Sequence, residues 1–203
     1  MTVPATIHVV DDDELARNSV SALVRSMGLP VRSYPSAEAF LEEWEPGSPG
    51  CLITDVRMLG MSGVELQQEL IDRGITLPVI VITAFARTKT TVDAMQKGAV
   101  TVLDKPYSDD DLWQSIRQAL TLDEERRISE EERSERQRRL ATLTEKERAV
   151  LDLMLEGRPN KQIARILEVS IRTVENRRAA IFEKTETDSL AALIRLTVAA
   201  EPQ

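Results

Sequence analysis

The chain has 203 residues, of which 42% are hydrophobic and 30% are charged. This length allows one large domain or two small ones, each with its own core. The 34 acidic and 26 basic side chains give a formal net charge of -8, which by itself argues against a nucleic-acid partner. A single cysteine excludes an intrachain disulfide and indicates a reducing, cytoplasmic location. No apolar run approaches the ~18 residues of a membrane span, and no secretory signal is present.

The first part of the chain alternates strand-like and helix-like segments. Short stretches rich in Val and Ile predict strands at 7–10, 31–34, 51–54, 79–83 and 101–103. Amphipathic stretches predict helices near 14–28, 36–45, 62–73, 87–97 and 108–120. Five such units predict an α/β doubly wound, five-stranded parallel sheet with helices on both faces. His8, inside the first strand, is predicted to be a core or edge histidine with satisfied hydrogen bonds.

The composition changes after this region. Residues 121–139 contain seven acidic and six basic side chains and almost no apolar ones, which favours an exposed helix. The last 64 residues predict four helices, at about 145–156, 161–168, 170–184 and 189–200. We therefore divide the chain into an α/β domain at 1–121, a charged helical linker at 122–139 and an all-α helix-turn-helix domain at 140–203.

Acidic and basic residues follow the predicted strands of the first domain. Asp11, Asp12 and Asp13 end the first strand, and Asp55 ends the third. Thr83 ends the fourth strand and Lys105 follows the fifth. The carboxyl ends of parallel strands meet at one edge of a sheet, so these groups converge there. Clustered carboxylates need a cation, and oxygen ligands select Mg²⁺ or Mn²⁺. The arrangement predicts phosphorylation of Asp55, with one of the first three acids capping the next helix.

Four motifs carry a family resemblance in this domain: VVDDDE at 9–14, LITDVRM at 52–58, VITA at 81–84 and DKPY at 104–107. Together they resemble the receiver domain of bacterial two-component response regulators. The resemblance implies that Asp55 accepts a phosphoryl group from a sensor histidine kinase. It also implies that Asp11, Asp12, Asp55 and the backbone carbonyl of Arg57 hold Mg²⁺ (or Mn²⁺), and that Thr83 and Lys105 contact the phosphoryl oxygens. The bond before Pro106 is expected to be cis.

Three positions depart from the receiver pattern. Val102 stands where an aromatic switch residue usually couples to the threonine that Thr83 matches, so switching through the Thr83–Val102 pair is in question. Leu59 stands where proline is common. Phe85, two residues after Thr83, is a large apolar group, and we hypothesise that it restricts hydrolytic water and prolongs the phosphorylated state.

The third helix of the second domain carries the DNA-binding pattern. Val174 and Ile181 are spaced to face the core, while Arg172, Glu175, Asn176, Ala179 and Glu183 fall on another face. Segments 143–157, 160–170 and 172–181 resemble the LuxR-type helix-turn-helix, and with the receiver the chain resembles the FixJ/NarL class. The resemblance implies base contacts from Glu175, Asn176 and Ala179. The candidates for contacts to the DNA backbone are Lys161, Arg172, Thr173, Arg177, Arg178 and Lys184.

The predicted function is that of a phosphorylation-controlled transcriptional regulator that dimerises and binds double-stranded promoter DNA. Two alternatives stay open at this point. One is a DNA binder with a degenerate receiver, which is constitutive or controlled by a protein. The other is a Mg²⁺-dependent phosphohydrolase with an aspartyl-phosphate intermediate, which would place the nucleophile on the first strand. The charge is compatible with DNA, because residues 1–120 hold 10 basic and 17 acidic side chains whereas residues 140–203 hold 10 of each.

Overall fold

Five parallel strands form one sheet in the order β2-β1-β3-β4-β5. The computed structural model describes residues 4–84 and 89–198. The strands are β1 (Thr6–Val10), β2 (Val31–Tyr34), β3 (Gly50–Asp55), β4 (Val79–Thr83) and β5 (Thr101–Asp104). Their positions confirm the predicted strands to within a residue at either end. In register, Val10 lies beside Thr54, Asp55 beside Ile82, and Thr83 beside Asp104. The carboxyl ends that carry the candidate site therefore lie along one edge.

The sheet is covered by helices on both faces. These helices are α1 (Glu14–Ser26), α2 (Ala37–Glu43), α3 (Gly63–Asp72), α4 (Lys89–Gln96) and α5 (Asp109–Ala141). Successive strand residues enter different cores, as side-chain alternation requires. Val10 and Leu52 pack with Phe40 and Leu66 in one core, whereas Val9 packs with Ile116 and others in the second. The doubly wound fold is confirmed.

The predicted caps also form. Asp13 caps α1 by accepting hydrogen bonds from two backbone amides. Ser62 and Glu65 form the predicted capping box of α3. Ser108 accepts a hydrogen bond from the Asp111 amide at the start of α5. The caps fix the first residues of α1, α3 and α5, each of which follows a strand that ends at the site. They therefore help to hold the loops around the site in place.

Helix α5 continues far beyond the expected fifth helix. It spans 33 residues and includes the charged stretch that was predicted as a separate linker. Asp123 holds the first part of this stretch, because its buried carboxylate accepts the Gly50 amide at 3.1 Å and pairs with Arg126 at 2.7 Å. The chain divides into two compact units, Met1–Arg126 and Arg127–Gln203. The domain division at 121 and 139 stays a prediction.

The second unit contains four further helices: α6 (Glu145–Leu155), α7 (Asn160–Ile166), α8 (Ile171–Thr185) and α9 (Leu190–Val198). A single core of Val150, Ile163, Val174, Ile181 and Leu193, among others, joins them. The Thr144–Glu147 capping box begins α6, and Ser170 caps α8. The predicted end of the last helix at 200 lies outside the described residues.

His8 differs from its prediction in one respect. It is 4% exposed, and its Nδ1 lies 3.0 Å from the hydroxyl oxygen of Tyr34. Its Nε2 is buried and has no hydrogen-bond partner among the residues that the structure describes. The expectation of a core histidine is confirmed, but that of full satisfaction is wrong, because Phe40 and Trp44 surround the ring with apolar edges. Among the described residues, no helix combines the length and apolar character needed to cross a membrane.

Candidate functional site

The carboxylate of Asp55 lies at the centre of the sheet edge. Its Oδ1 accepts a hydrogen bond from Lys105 Nζ at 2.6 Å, and its Oδ2 accepts one from the Arg57 amide at 2.7 Å. The side chain of Asp55 is 13% exposed, so one face of the carboxylate still meets solvent. Lys105 follows β5, and its own amide donates to the carbonyl of Thr83 at 2.7 Å. The peptide bond between Lys105 and Pro106 is cis, as predicted.

Asp11 lies beside this pair and is buried. Its Oδ2 is 3.8 Å from Lys105 Nζ, and its Oδ1 accepts the Asp13 amide at 2.9 Å. Burial raises the pKa of Asp11, and the charges of Asp55 and Asp12 raise it further, against the effects of the Asp13 amide and Lys105. Burial alone would lower the pKa of Lys105, but the hydrogen bond and charge of Asp55 raise it. The site therefore keeps a charged ammonium among crowded carboxylates.

The three consecutive acids have three different environments. Asp11 is buried beside Lys105, as described above. Asp12 Oδ2 accepts a hydrogen bond from the amide of Leu59, 2.8 Å away in the loop after β3. Asp13 caps α1, and the amides of Ala16 and Leu15 lower the pKa of its carboxyl. The prediction that one of the three acts as a cap is confirmed for Asp13.

The oxygen atoms of Asp11, Asp12 and Asp55 have the chemistry that a hard cation prefers, but they do not converge on one point where a cation could be bound. Within residues 4–84 and 89–198, no three His, Cys, Asp or Glu side chains are grouped so that they could hold a metal ion. Asp12 is bonded to Leu59, and Asp55 is bonded to Lys105 and Arg57. The carboxylates and the nearby backbone carbonyls are nevertheless the oxygen ligands that Mg²⁺ prefers. The raised pKa of Asp11 marks negative charge that a cation would relieve.

The two residues of the expected switch lie on neighbouring strands. Thr83 ends β4 and is buried. Val102 lies on β5 opposite Val81, is half-buried, and packs against the core that contains Phe40. Its side chain thus packs against the core and is not an exposed group that could change rotamer freely. Phe85 lies outside the described residues.

The predicted faces of α8 are confirmed for the residues that should be buried. Val174 and Ile181 are fully buried in the core of the second unit. The residues expected to face DNA lie on the accessible part of the helix. Arg172, Glu175, Asn176, Ala179 and Glu183 are exposed, and Thr173, Arg177 and Arg178 are half-buried. Lys161 is exposed on α7.

Lys184 has a partner that the sequence did not reveal. Its Nζ donates to both carboxylate oxygens of Glu147, at 2.9 and 2.7 Å. Glu147 is buried, and its pKa is lowered to about 2, first by the Lys184 hydrogen bond and then by the Thr144 amide. The ammonium of Lys184 therefore joins α8 to the start of α6, while 35% of the side chain stays exposed. The sequence did not predict this pair because 37 residues separate the two partners, and the assignment of Lys184 to a DNA contact stays a prediction.

Both halves of the chain match known families. Residues 7–117 match the response regulator receiver domain, and residues 141–197 match the bacterial regulatory proteins of the luxR family. The transcriptional regulatory protein FixJ of Azorhizobium caulinodans is 41% identical over 194 residues, which cover 96% of this chain and 92% of that protein. The response regulator protein TmoT of Ectopseudomonas mendocina is 37% identical over 193 residues, which cover 95% of this chain and 88% of that protein.

Solved structures agree with these matches. The response regulator StyR superimposes with a TM-score of 0.88 at 39% identity, over 96% of this chain and 98% of that one. Full-length FixJ from B. japonicum superimposes with a TM-score of 0.60 at 36% identity, over 98% of each chain.

Proposed function

Since the chain belongs to the response regulators in which a receiver domain is followed by a LuxR-type DNA-binding domain, we propose that Asp55 is the residue that accepts the phosphoryl group. The chain is a phosphorylation-controlled transcriptional regulator, and its receiver implies a sensor kinase as partner. The comparisons favour neither a free phosphohydrolase nor a constitutive DNA binder. A receiver would catalyse only its own phosphotransfer and dephosphorylation.

The ion pair between Lys105 and Asp55, 2.6 Å long, is the observation that carries this proposal. A carboxylate oxygen of Asp55 attacks the phosphorus of a phosphohistidine in the kinase or of a small phosphodonor. The bond from phosphorus to the leaving nitrogen or oxygen breaks, and an acyl phosphate forms on Asp55. The ammonium of Lys105 then moves from the carboxylate to the phosphoryl oxygens, where the hydroxyl of Thr83 also donates. Both groups stabilise charge that develops on those oxygens.

The carboxylates of Asp11, Asp12 and Asp55, with the backbone carbonyl of Arg57, would hold Mg²⁺ or Mn²⁺. A bound cation neutralises the carboxylates and the incoming phosphoryl oxygens. At present Asp12 Oδ2 accepts the Leu59 amide and Asp55 Oδ1 accepts Lys105, so a cation that uses these two oxygens would displace those donors.

We further propose how phosphorylation, sensed by Thr83, controls DNA binding by the second unit. Phosphorylation shifts the populations of two conformations of the receiver. Thr83 approaches the phosphoryl group, whereas Val102 stays packed in the core and supplies no aromatic swing. The phosphorylated receiver forms a homodimer, and two copies of α8 bind two half-sites of promoter DNA. Glu175, Asn176 and Ala179 face the bases, and Lys161, Arg172, Thr173, Arg177 and Arg178 lie toward the phosphates. Lys184, which is also paired with Glu147, is a further candidate for a phosphate contact.

The test uses the full chain with acetyl phosphate or a beryllofluoride mimic and Mg²⁺. We expect one phosphoryl group on Asp55, a dimer in solution and tighter DNA binding. The Asp55→Asn variant should lose all three effects, while Asp109→Asn, an exposed acid at the start of α5, should keep them. Phosphorylation retained by Asp55→Asn would contradict the assignment. DNA binding that ignores the mimic would favour the constitutive binder, and turnover of free phosphoesters would favour the phosphohydrolase.

A further inference from the structure

The loop between β3 and α3 is held to the acidic site by alternate backbone amides. The amide of Arg57 donates to Asp55 at 2.7 Å, and that of Leu59 donates to Asp12 at 2.8 Å. Two residues further, the amide of Met61 donates to Glu38 of α2 at 3.1 Å. Each amide is therefore bonded to a different carboxylate, and two of the three carboxylates belong to the proposed cation site. The position of this loop and the direction of those carboxylates depend on one another.

The Leu59 bond has a feature that the other two lack. Among the described residues, Asp12 is the proposed cation ligand whose side chain is bonded to an amide far away in the sequence, 47 residues further on. Leu59 is 81% exposed, whereas Met58 and Met61 on either side of it pack against the core that contains Phe40. The hydrogen bond of Asp12 is thus the attachment of the Leu59 backbone itself, between these two packed side chains. A carboxylate held by an N–H donor has to give up that stabilisation when it turns toward a cation.

We propose that the Leu59 amide competes with the divalent cation for Asp12, so that binding of the cation releases the middle of this loop. The proposal rests on the cation site of the proposed function. It accounts for the lack of a gathered three-carboxylate cluster within the described residues, because Asp12 is engaged by Leu59. By linkage, the loop and the cation each weaken the binding of the other to the site. Binding of the cation would thereby change the position of the exposed apolar side chain of Leu59, in the loop that follows the phosphoacceptor.

Three variants separate the amide from the side chain and from the loop as a whole. Leu59→Pro removes the N–H, and Leu59 is not among the described residues with a positive φ. Leu59→Ala keeps the N–H and removes the exposed side chain. Glu38→Gln weakens the neighbouring attachment at Met61 but leaves Asp12 untouched. From the net contribution of a charge-assisted hydrogen bond, partly screened at this surface, we expect Leu59→Pro to bind Mg²⁺ roughly 3- to 10-fold more tightly. The other two variants should bind it as the wild type does.

The measurement is calorimetric titration of the full chain with Mg²⁺, without any phosphodonor. A second measurement needs no variant: hydrogen exchange of the Leu59 amide in the wild type, with and without Mg²⁺. Competition predicts faster exchange at Leu59 in saturating Mg²⁺ and no acceleration at Met61, whose acceptor Glu38 lies outside the cation site. An unchanged or lower affinity in folded Leu59→Pro, or slower exchange at Leu59, would overturn the proposal, because the amide would then orient Asp12 for the cation. A wild type that binds no Mg²⁺ would instead refute the cation site itself.

Discussion

The single histidine of the chain makes the stability of the first unit sensitive to pH. His8 is 4% exposed, and its ring lies between Tyr34, Phe40 and Trp44. Burial, with a smaller contribution from the charge of Arg32, lowers its pKa from 6.5 to about 4. Within the described part of the chain, the buried Nε2 has no partner that could accept a hydrogen bond from a second ring proton. Protonation of His8 in the folded protein therefore places an uncompensated charge in the core.

The sign follows from the order of the two pKa values. The unfolded chain takes up the proton at about pH 6.5, before the folded chain does at about pH 4. The neutral form thus contributes stability that is fully present above pH 6.5 and is lost as the pH falls toward 4. At 1.36 kcal/mol per pKa unit, the loss is about 2 kcal/mol between pH 7 and pH 5, and about 3 kcal/mol at its limit.

Urea unfolding followed by tryptophan fluorescence measures this loss. Both tryptophans, Trp44 and Trp113, belong to the first unit, so the signal reports on that unit alone. The control is His8→Leu, which removes the titrating ring and shifts the baseline stability equally at each pH. We expect the free energy of unfolding of the wild type, relative to this variant, to fall by about 2 kcal/mol from pH 7 to pH 5. A difference that does not change with pH would refute the reasoning, because other titrating groups are common to both chains.

Two further predictions concern packing and capping. A Cβ at Gly63 would clash with the Asp55 carbonyl oxygen and lie 2.9 Å from Thr54 Oγ1. Gly63→Ala should therefore destabilise the first unit by about 2 kcal/mol in the same urea assay, and unchanged stability would contradict the close approach. Glu147→Gln should lower the stability of the second unit by about 1–2 kcal/mol in thermal melts followed by circular dichroism, since it weakens both a cap and the bond to Lys184. Glu145→Gln, exposed in the same turn, is the matched control, and an equal effect of the two changes would argue against the pair.

Sequence signals that act over a few residues predicted the fold well. The strands were visible as short Val- and Ile-rich runs, and Ser62 with Glu65 marked the start of α3 by the spacing of a capping box. The convergence of Asp55 and Lys105 was also predictable, because parallel strands place their carboxyl ends at one edge. These features depend on local chemistry and on a topology with few alternatives.

Features that depend on distant partners were not predictable in this way. The bond between Leu59 and Asp12 and the pair of Lys184 with Glu147 join residues far apart in sequence. The charged stretch was predicted to be helical, but its continuity with the fifth helix was not predictable, for a related reason. This stretch has no apolar stripe to mark it as packed, yet Asp123 bonds to the Gly50 amide and holds its beginning against the sheet. A single buried carboxylate leaves no periodic pattern in the sequence.

The internal pair of Lys184 changes what the charge of the second unit means for DNA binding. Helix α8 contains four basic residues and two acidic ones, but the charge of Lys184 is already balanced by Glu147. Three arginines, Arg172, Arg177 and Arg178, then remain against Glu175 and Glu183. Affinity for DNA grows with the number of phosphates that cationic side chains neutralise, so one copy of this helix supplies a small electrostatic contribution. Two linked copies bind with a high effective concentration at the second half-site, and so the proposed dimer, rather than the charge of one domain, would make promoter binding depend on phosphorylation.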